Sequence, residues 1–198
     1  MTPINRHGRY ELTDPYLRFY FRFLAARQIN RQGQVMKNIF RCLPDFIETG
    51  VWRELCHEWI WGAAVAKELP FPNQIGPVWN EAVEIPICGI ETLTRTLILG
   101  ECRWTPRPAR TNVLLELIEK TNKLVPPGDW KVYFLGFSRS GWTSKAHAYA
   151  RKVNKHPVSG ANWRSMGFRL VTLDQLDTDL WKWTGVNRSD HDDIDIEF

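Results

Sequence analysis

One run constrains this chain more than any other. Thr96-Leu97-Ile98-Leu99-Gly100-Glu101-Cys102-Arg103-Trp104 is almost continuously apolar until a carboxylate and a guanidinium appear near its end. An unbroken apolar run of this length reads as a buried central strand, covered on both faces. Residues at i and i+2 on a strand share a face, so Glu101 and Arg103 point the same way from the centre of a core.

The sequence around this run alternates between helical and strand periods. Asp14 and Pro15 form a helix-start signal, and Leu17, Tyr20, Phe21 and Leu24 follow at helical spacing within 10–27. Further helices are expected at 34–48 and from Val51 to Lys67, the latter with Trp52, Leu55, Cys56, Trp59 and Ile60 on one stripe. Pro70, Pro72, Asn73 and Gly76 mark a loop. A strand-like run at 78–90 and the one at 94–104 then suggest an antiparallel hairpin. A helix at 111–124, a buried strand from Trp130 to Phe137, a helix at 143–153, a short strand at 168–173 and a helix at 174–183 capped by Asp174 complete the pattern. The core order is α-β-β-α-β-α, an α/β fold with a mixed sheet flanked by helices and an N-terminal helical extension. The expected division is a linker and helical extension at 1–48, a core at 49–184 and an acidic tail at 185–198.

With 198 residues and 43% hydrophobic content, the chain can bury one good-sized core. No stretch nears the roughly 20 apolar residues of a membrane span, and no signal peptide opens the chain, so no membrane partner is expected. Cys42, Cys56, Cys88 and Cys102 form no C-x-x-C pair, which argues against zinc and for reduced thiols in a cytoplasmic protein. No disulfide is expected between Cys88 and Cys102.

Charge is unevenly placed. Between Arg139 and Thr172 there are seven basic residues and no acid, while Asp174 to Phe198 holds eight acids and two bases. The basic block, with Trp142, Tyr149 and Trp163 interleaved, can follow a phosphate backbone; it can equally be a solvated helix face. The acidic end reads as a solubilising tail, or as a phosphate mimic folding back on the basic block.

Metal-dependent phosphodiester cleavage needs hard oxygen ligands and a cation near the attacking water. Glu101 with Arg103 supplies part of that set, and on the hairpin partner Glu84 shares a face with Pro86. Gly100-Glu101-Cys102-Arg103-Trp104 resembles the Gly-Glu-Cys-Lys-Trp strand of a nuclease-like domain of unknown function. That domain lies at the C-terminus of archaeal-type AAA-superfamily ATPases and belongs to the PD-(D/E)xK, restriction-endonuclease-like superfamily. Four further pieces agree in order. Residues 10–23 resemble the linker after a winged-helix segment, and Val51-Trp52-Arg53-Glu54-Leu55-Cys56 the first core helix. Val83-Glu84-Ile85-Pro86-Ile87 is similar to a Glu-Ile-Asp strand, and Phe137-Ser138-Arg139-Ser140-Gly141-Trp142 to a Ser-Lys-Ser-Gly-Phe turn.

The resemblance implies a restriction-endonuclease-like fold in which an Asp and the Glu of Glu-x-Lys hold Mg²⁺ or Mn²⁺, the Lys assists the water, and a helix Glu contributes. Here only Glu101 matches. Pro86 replaces the Asp, Arg103 the Lys, and Arg53 the helix Glu, with Glu54 and Glu58 close by. Pro86 also removes a ladder hydrogen bond, so its strand is expected to be an edge or bulged. A rearranged site would use Glu101 and Glu84 for the metal, with Arg103 and Lys120 as cations. The alternative for Glu101 is a plain strand ion pair with Arg103 or Arg95. Arg139, Ser140, Lys145, Arg151 and Lys152 are the candidate nucleic-acid contacts, although Ser138, Ser140 and Gly141 also suit an ordinary strand-to-helix turn. His57 and His147 read as packing or surface residues.

No G-x-x-x-x-G-K-[ST] occurs, so an ATP site is not expected in this chain. The resulting expectation is a degenerate nuclease-like domain that binds nucleic acid or docks an ATPase and winged-helix partner. An active Mg²⁺-dependent DNase and a pure protein-interaction module are the alternatives.

Overall fold

The computed structural model describes residues 12, 14–25 and 32–185. Its centre is a five-stranded sheet in the order β1-β2-β3-β4-β5. The strands are β1 (Gln74–Trp79), β2 (Glu84–Glu91), β3 (Thr96–Arg103), β4 (Trp130–Ser138) and β5 (Trp163–Thr172). β1, β2 and β3 form an antiparallel meander, whereas β3, β4 and β5 run parallel. Parallel neighbours need long crossovers, and α4 (Thr111–Leu124) and α5 (Ser144–Lys155) supply them.

The two faces carry separate cores. One holds Leu97, Leu99, Val132 and Phe134 against α4 and α5. The other holds Ile98, Cys102, Leu135 and Phe137 against α3 (Arg53–Val65) and α6 (Leu173–Thr184). The strand alternation of β3 therefore sends odd-numbered residues toward α4 and even-numbered ones toward α3. Cys88 belongs to the first core and Cys102 to the second, and the described cysteines are free thiols.

The mixed sheet flanked by helices is the fold that the sequence pattern implies, with differences in detail. The run at 78–90 is two strands. Asn80 Oδ1 accepts from the N–H groups of Ala82 and Val83, at 2.9 Å each, and this tight turn separates β1 from β2. β1 thus takes in Gly76, in a segment that the sequence marks as loop.

The helices expected at 34–48 and 51–67 join into one helical run. α2 (Gln32–Phe46) passes through a π-helical segment, Ile47–Trp52, directly into α3, so the chain crosses residue 48 without a break. β5 is ten residues long rather than six, and Thr172, not Asp174, caps α6 by accepting from Gln175 N–H at 3.1 Å. Asp14 does cap α1 (Pro15–Phe19), with Pro15 opening the helix. The acidic tail expected at 185–198 lies, beyond Gly185, outside the described residues.

Pro86 sits in a β-bulge. Gly76 pairs with Cys88 and Val78 with Ile85, so Pro86 and Ile87 together oppose the single residue Pro77. Neither proline can donate to a ladder, and the bulge on the edge pair accommodates both. Its consequence is a change of face: Ile85 joins the α4-side core with Cys88, while Ile87 joins the α3-side core. The β2–β3 ladder stops at Ile87 and Gly100, so within the sheet Glu101, Cys102 and Arg103 pair with β4.

Candidate functional site at the end of β3

Glu101 is buried, with 2% of its surface exposed. A buried carboxylate is costly unless paired, and two cations meet it. Lys120 Nζ, from α4, donates to Oε1. Arg103 Nη2 lies 3.4 Å from Oε2. Helix α4 reaches the site because Val113, Leu114, Leu117 and Thr121 bury its apolar stripe. Lys120 borders that stripe, its stem covered and its head at the carboxylate.

Arg103 is the hub of the cluster. Besides Glu101 it approaches Glu48 Oε1 at 3.7 Å and Glu116 Oε2 at 4.0 Å. Glu48 is itself fixed, because its Oε2 accepts the Trp104 N–H at 3.1 Å. One guanidinium is thus ringed by three carboxylates from a π-helical segment, a central strand and a helix. These separations are ion pairs rather than tight hydrogen bonds.

The remaining candidates fall at three places. Glu84 is exposed at the start of β2, in register with Trp79. Because the bulge turns Ile85 toward α4, strand alternation turns Glu84 to the opposite face from Glu101. Arg139 and Ser140 lie beside the cluster. The Arg139 guanidinium stacks 4.9 Å from the Trp104 ring centre, and the Arg139 backbone N–H donates to Arg103 O at 3.0 Å. Ser140 Oγ donates to Thr105 O at 2.7 Å. Gly141 has φ +78°, a conformation that favours glycine, so this turn also serves the fold. Lys145, Arg151 and Lys152 are exposed along α5.

Sequence reasoning placed the helix carboxylate near Arg53, Glu54 or Glu58. Glu54 instead binds Arg18 of α1 at 2.5 Å, and Glu48 is the residue that reaches Arg103. Nothing in the local periodicity marks Glu48, since the π-helical segment shifts the phase of the helix. Glu116 had a signal, being four residues before Lys120 on an exposed helix face.

The donor set does not suit the divalent metal that the family resemblance implies. Mg²⁺ and Mn²⁺ call for several free oxygen ligands, yet both Glu101 oxygens face cations and Pro86 has no carboxylate. Among the described residues no group of three or more His, Cys, Asp or Glu is arranged to hold a metal ion. Nor is any described helix long and apolar enough to cross a membrane.

Behind the cluster, Cys56 of α3 meets Cys102 of β3. Burial, helped by the neighbouring Cys102, raises the Cys56 thiol well above its usual value. Burial alone pushes Cys88 up to about 12. These thiols pack rather than react.

The model of the DUF234 family, archaeal and bacterial proteins of unknown function, covers residues 16–114. That span is half of the chain, running from α1 into α4 and including Glu48, Glu101 and Arg103. No curated protein and no solved structure matches significantly. The chain therefore belongs to the DUF234 family of archaeal and bacterial proteins of unknown function.

Proposed function

We propose that this chain is a nuclease-like domain that binds nucleic acid without metal-dependent cleavage. The observation that carries this reading is the pairing of Glu101 with Lys120 and Arg103. The one carboxylate matching the Glu-x-Lys strand is already neutralised by side chains, so a metal would have to displace two cations. Arg103 presents a planar guanidinium fork rather than a compact amine, so it does not replace the Lys of Glu-x-Lys. What remains is a rigid centre with cations outside it: Arg139 over Trp104 and the exposed Lys145, Arg151 and Lys152 on α5. Such groups suit backbone phosphates.

A second reading, docking to an AAA-type ATPase and its winged-helix segment, is favoured by the N-terminal helices. Tyr16, Leu17, Phe21 and Phe40 are large apolar side chains left exposed there.

The test combines duplex binding, measured by fluorescence anisotropy across a salt series, with a plasmid-nicking assay in Mg²⁺ and Mn²⁺. Binding that weakens steeply with salt, without nicking, is the expected result. Mn²⁺-dependent nicking that Glu101→Ala abolishes would instead establish a DNase centred on Glu101. No binding at low salt, together with a stable complex with an ATPase, would leave the docking reading.

A further inference from the structure

A cleft of about 470 Å³ is lined by Arg110, Thr111, Asn112, Thr143 and Lys145. Its lining has two cations, two hydroxyls and an amide, and no carboxylate. The chain holds the two walls in fixed relation. Ala109 and Trp142 form a parallel bridge. Ala109 N–H donates to Gly141 O at 2.9 Å, and Thr143 N–H to Ala109 O at 3.0 Å.

This bridge sets the starts of α4 and α5 side by side, and neither helix has an acidic residue in its first turn. Arg110, at the N-cap of α4, makes no side-chain cap hydrogen bond, and the Val113 N–H is met by the Arg110 carbonyl at 3.2 Å.

From the basic lining of this cleft we infer that it binds a terminal phosphate monoester of a nucleic-acid strand. The inference rests on the nucleic-acid reading above and adds a specific site to it. Two full positive charges, supplemented by roughly half a charge from each helix start, suit a dianion better than the single charge of an internal phosphodiester. The cavity is larger than one phosphate and leaves room for the first sugar. Thr111 and Thr143 supply hydroxyl groups for the phosphoryl oxygens, while the Asn112 amide already donates to Glu116 Oε1 at 3.2 Å. Backbone phosphates further along the strand meet Arg151 and Lys152.

The experiment compares two otherwise identical short single strands, one 5′-phosphorylated and one 5′-hydroxyl, by anisotropy with the full chain. Wild type is expected to bind the phosphorylated strand at least about fivefold more tightly. Arg110→Ala is expected to reduce that preference to about twofold or less. Inorganic phosphate at millimolar concentration is expected to erode the preference in wild type. Circular dichroism of the variant, whose substituted residue is exposed, checks that the fold is retained.

Equal binding of the two strands by wild type, or an undiminished preference in a folded Arg110→Ala, would overturn the cleft assignment while leaving salt-dependent nucleic-acid binding intact. Binding of neither single strand at low salt would also overturn the cleft assignment, and the absence of duplex binding as well would remove the nucleic-acid reading on which it rests.

Discussion

Glu101 of β3 and Lys120 of α4 form an ion pair in which the carboxylate is buried and the ammonium closes the gap between sheet and helix. The pair both neutralises a charge in the core and locks α4 over the end of β3. Removing one partner of a buried pair leaves the other uncompensated, which costs more than the pair itself contributes. Lys120→Met is therefore expected to destabilise the fold by about 2–4 kcal/mol, measured by urea unfolding. Glu101→Gln/Lys120→Met should recover part of that loss. A double variant as unstable as the sum of the singles would show that the two residues do not couple.

Asp179 is a second buried acid, and it joins α6 to α3 and β5. It accepts from Trp59 Nε1 at 2.9 Å and Gln175 Nε2 at 2.7 Å, and lies 3.5 Å from Arg169. Arg169 also sits 4.5 Å from the Trp59 ring centre. Asp179→Ala strands a buried indole N–H, so thermal unfolding should report a loss of about 2–3 kcal/mol. Arg169→Ala should cost less, since the more exposed guanidinium is partly solvated.

Gly136 pairs with Glu101 in the parallel ladder and has no room for a methyl group. A Cβ there would lie 2.5 Å from Trp142 Cζ2 and 3.0 Å from Leu170 Cδ2. Gly136→Ala is expected to push the Trp142 ring off the sheet and cost about 1–3 kcal/mol. A red shift in tryptophan emission at unchanged secondary structure would register the displacement. Gly76→Ala is the control, because a Cβ there meets nothing within 4 Å.

Cys88 makes stability depend on alkaline pH. Its folded thiol is pushed up to about 12, whereas an unfolded cysteine ionises near 8.5–9. Above about pH 9 the unfolded chain sheds a proton that the folded chain keeps, so this stabilising contribution is complete below that pH and is lost as pH rises toward 12. Cys88→Ala should flatten the decline in stability between those limits. In the native protein at pH 8, Cys56 and Cys88 should also alkylate at least tenfold more slowly than in urea.

The sequence by itself determined the fold class and most of the elements. The apolar run at Thr96–Cys102 reads as a central strand, and the stripe through Leu114 and Leu117 as a helix face, because burial imposes those periods locally. It also placed Glu101 and Arg103 on one face and foresaw a bulge or an edge at Pro86, since alternation and a missing N–H are local facts.

Arg103 and Lys120 were legible as candidate cations beside Glu101, but only the tertiary structure decided that both meet it and that Glu48 joins them. Lys120 arrives through a crossover helix, and Glu48 through a π-helical segment that shifts the helical phase. Glu84 is turned away because the bulge at Pro86 exchanges faces. Each depends on how distant segments pack, and no local period carries that information.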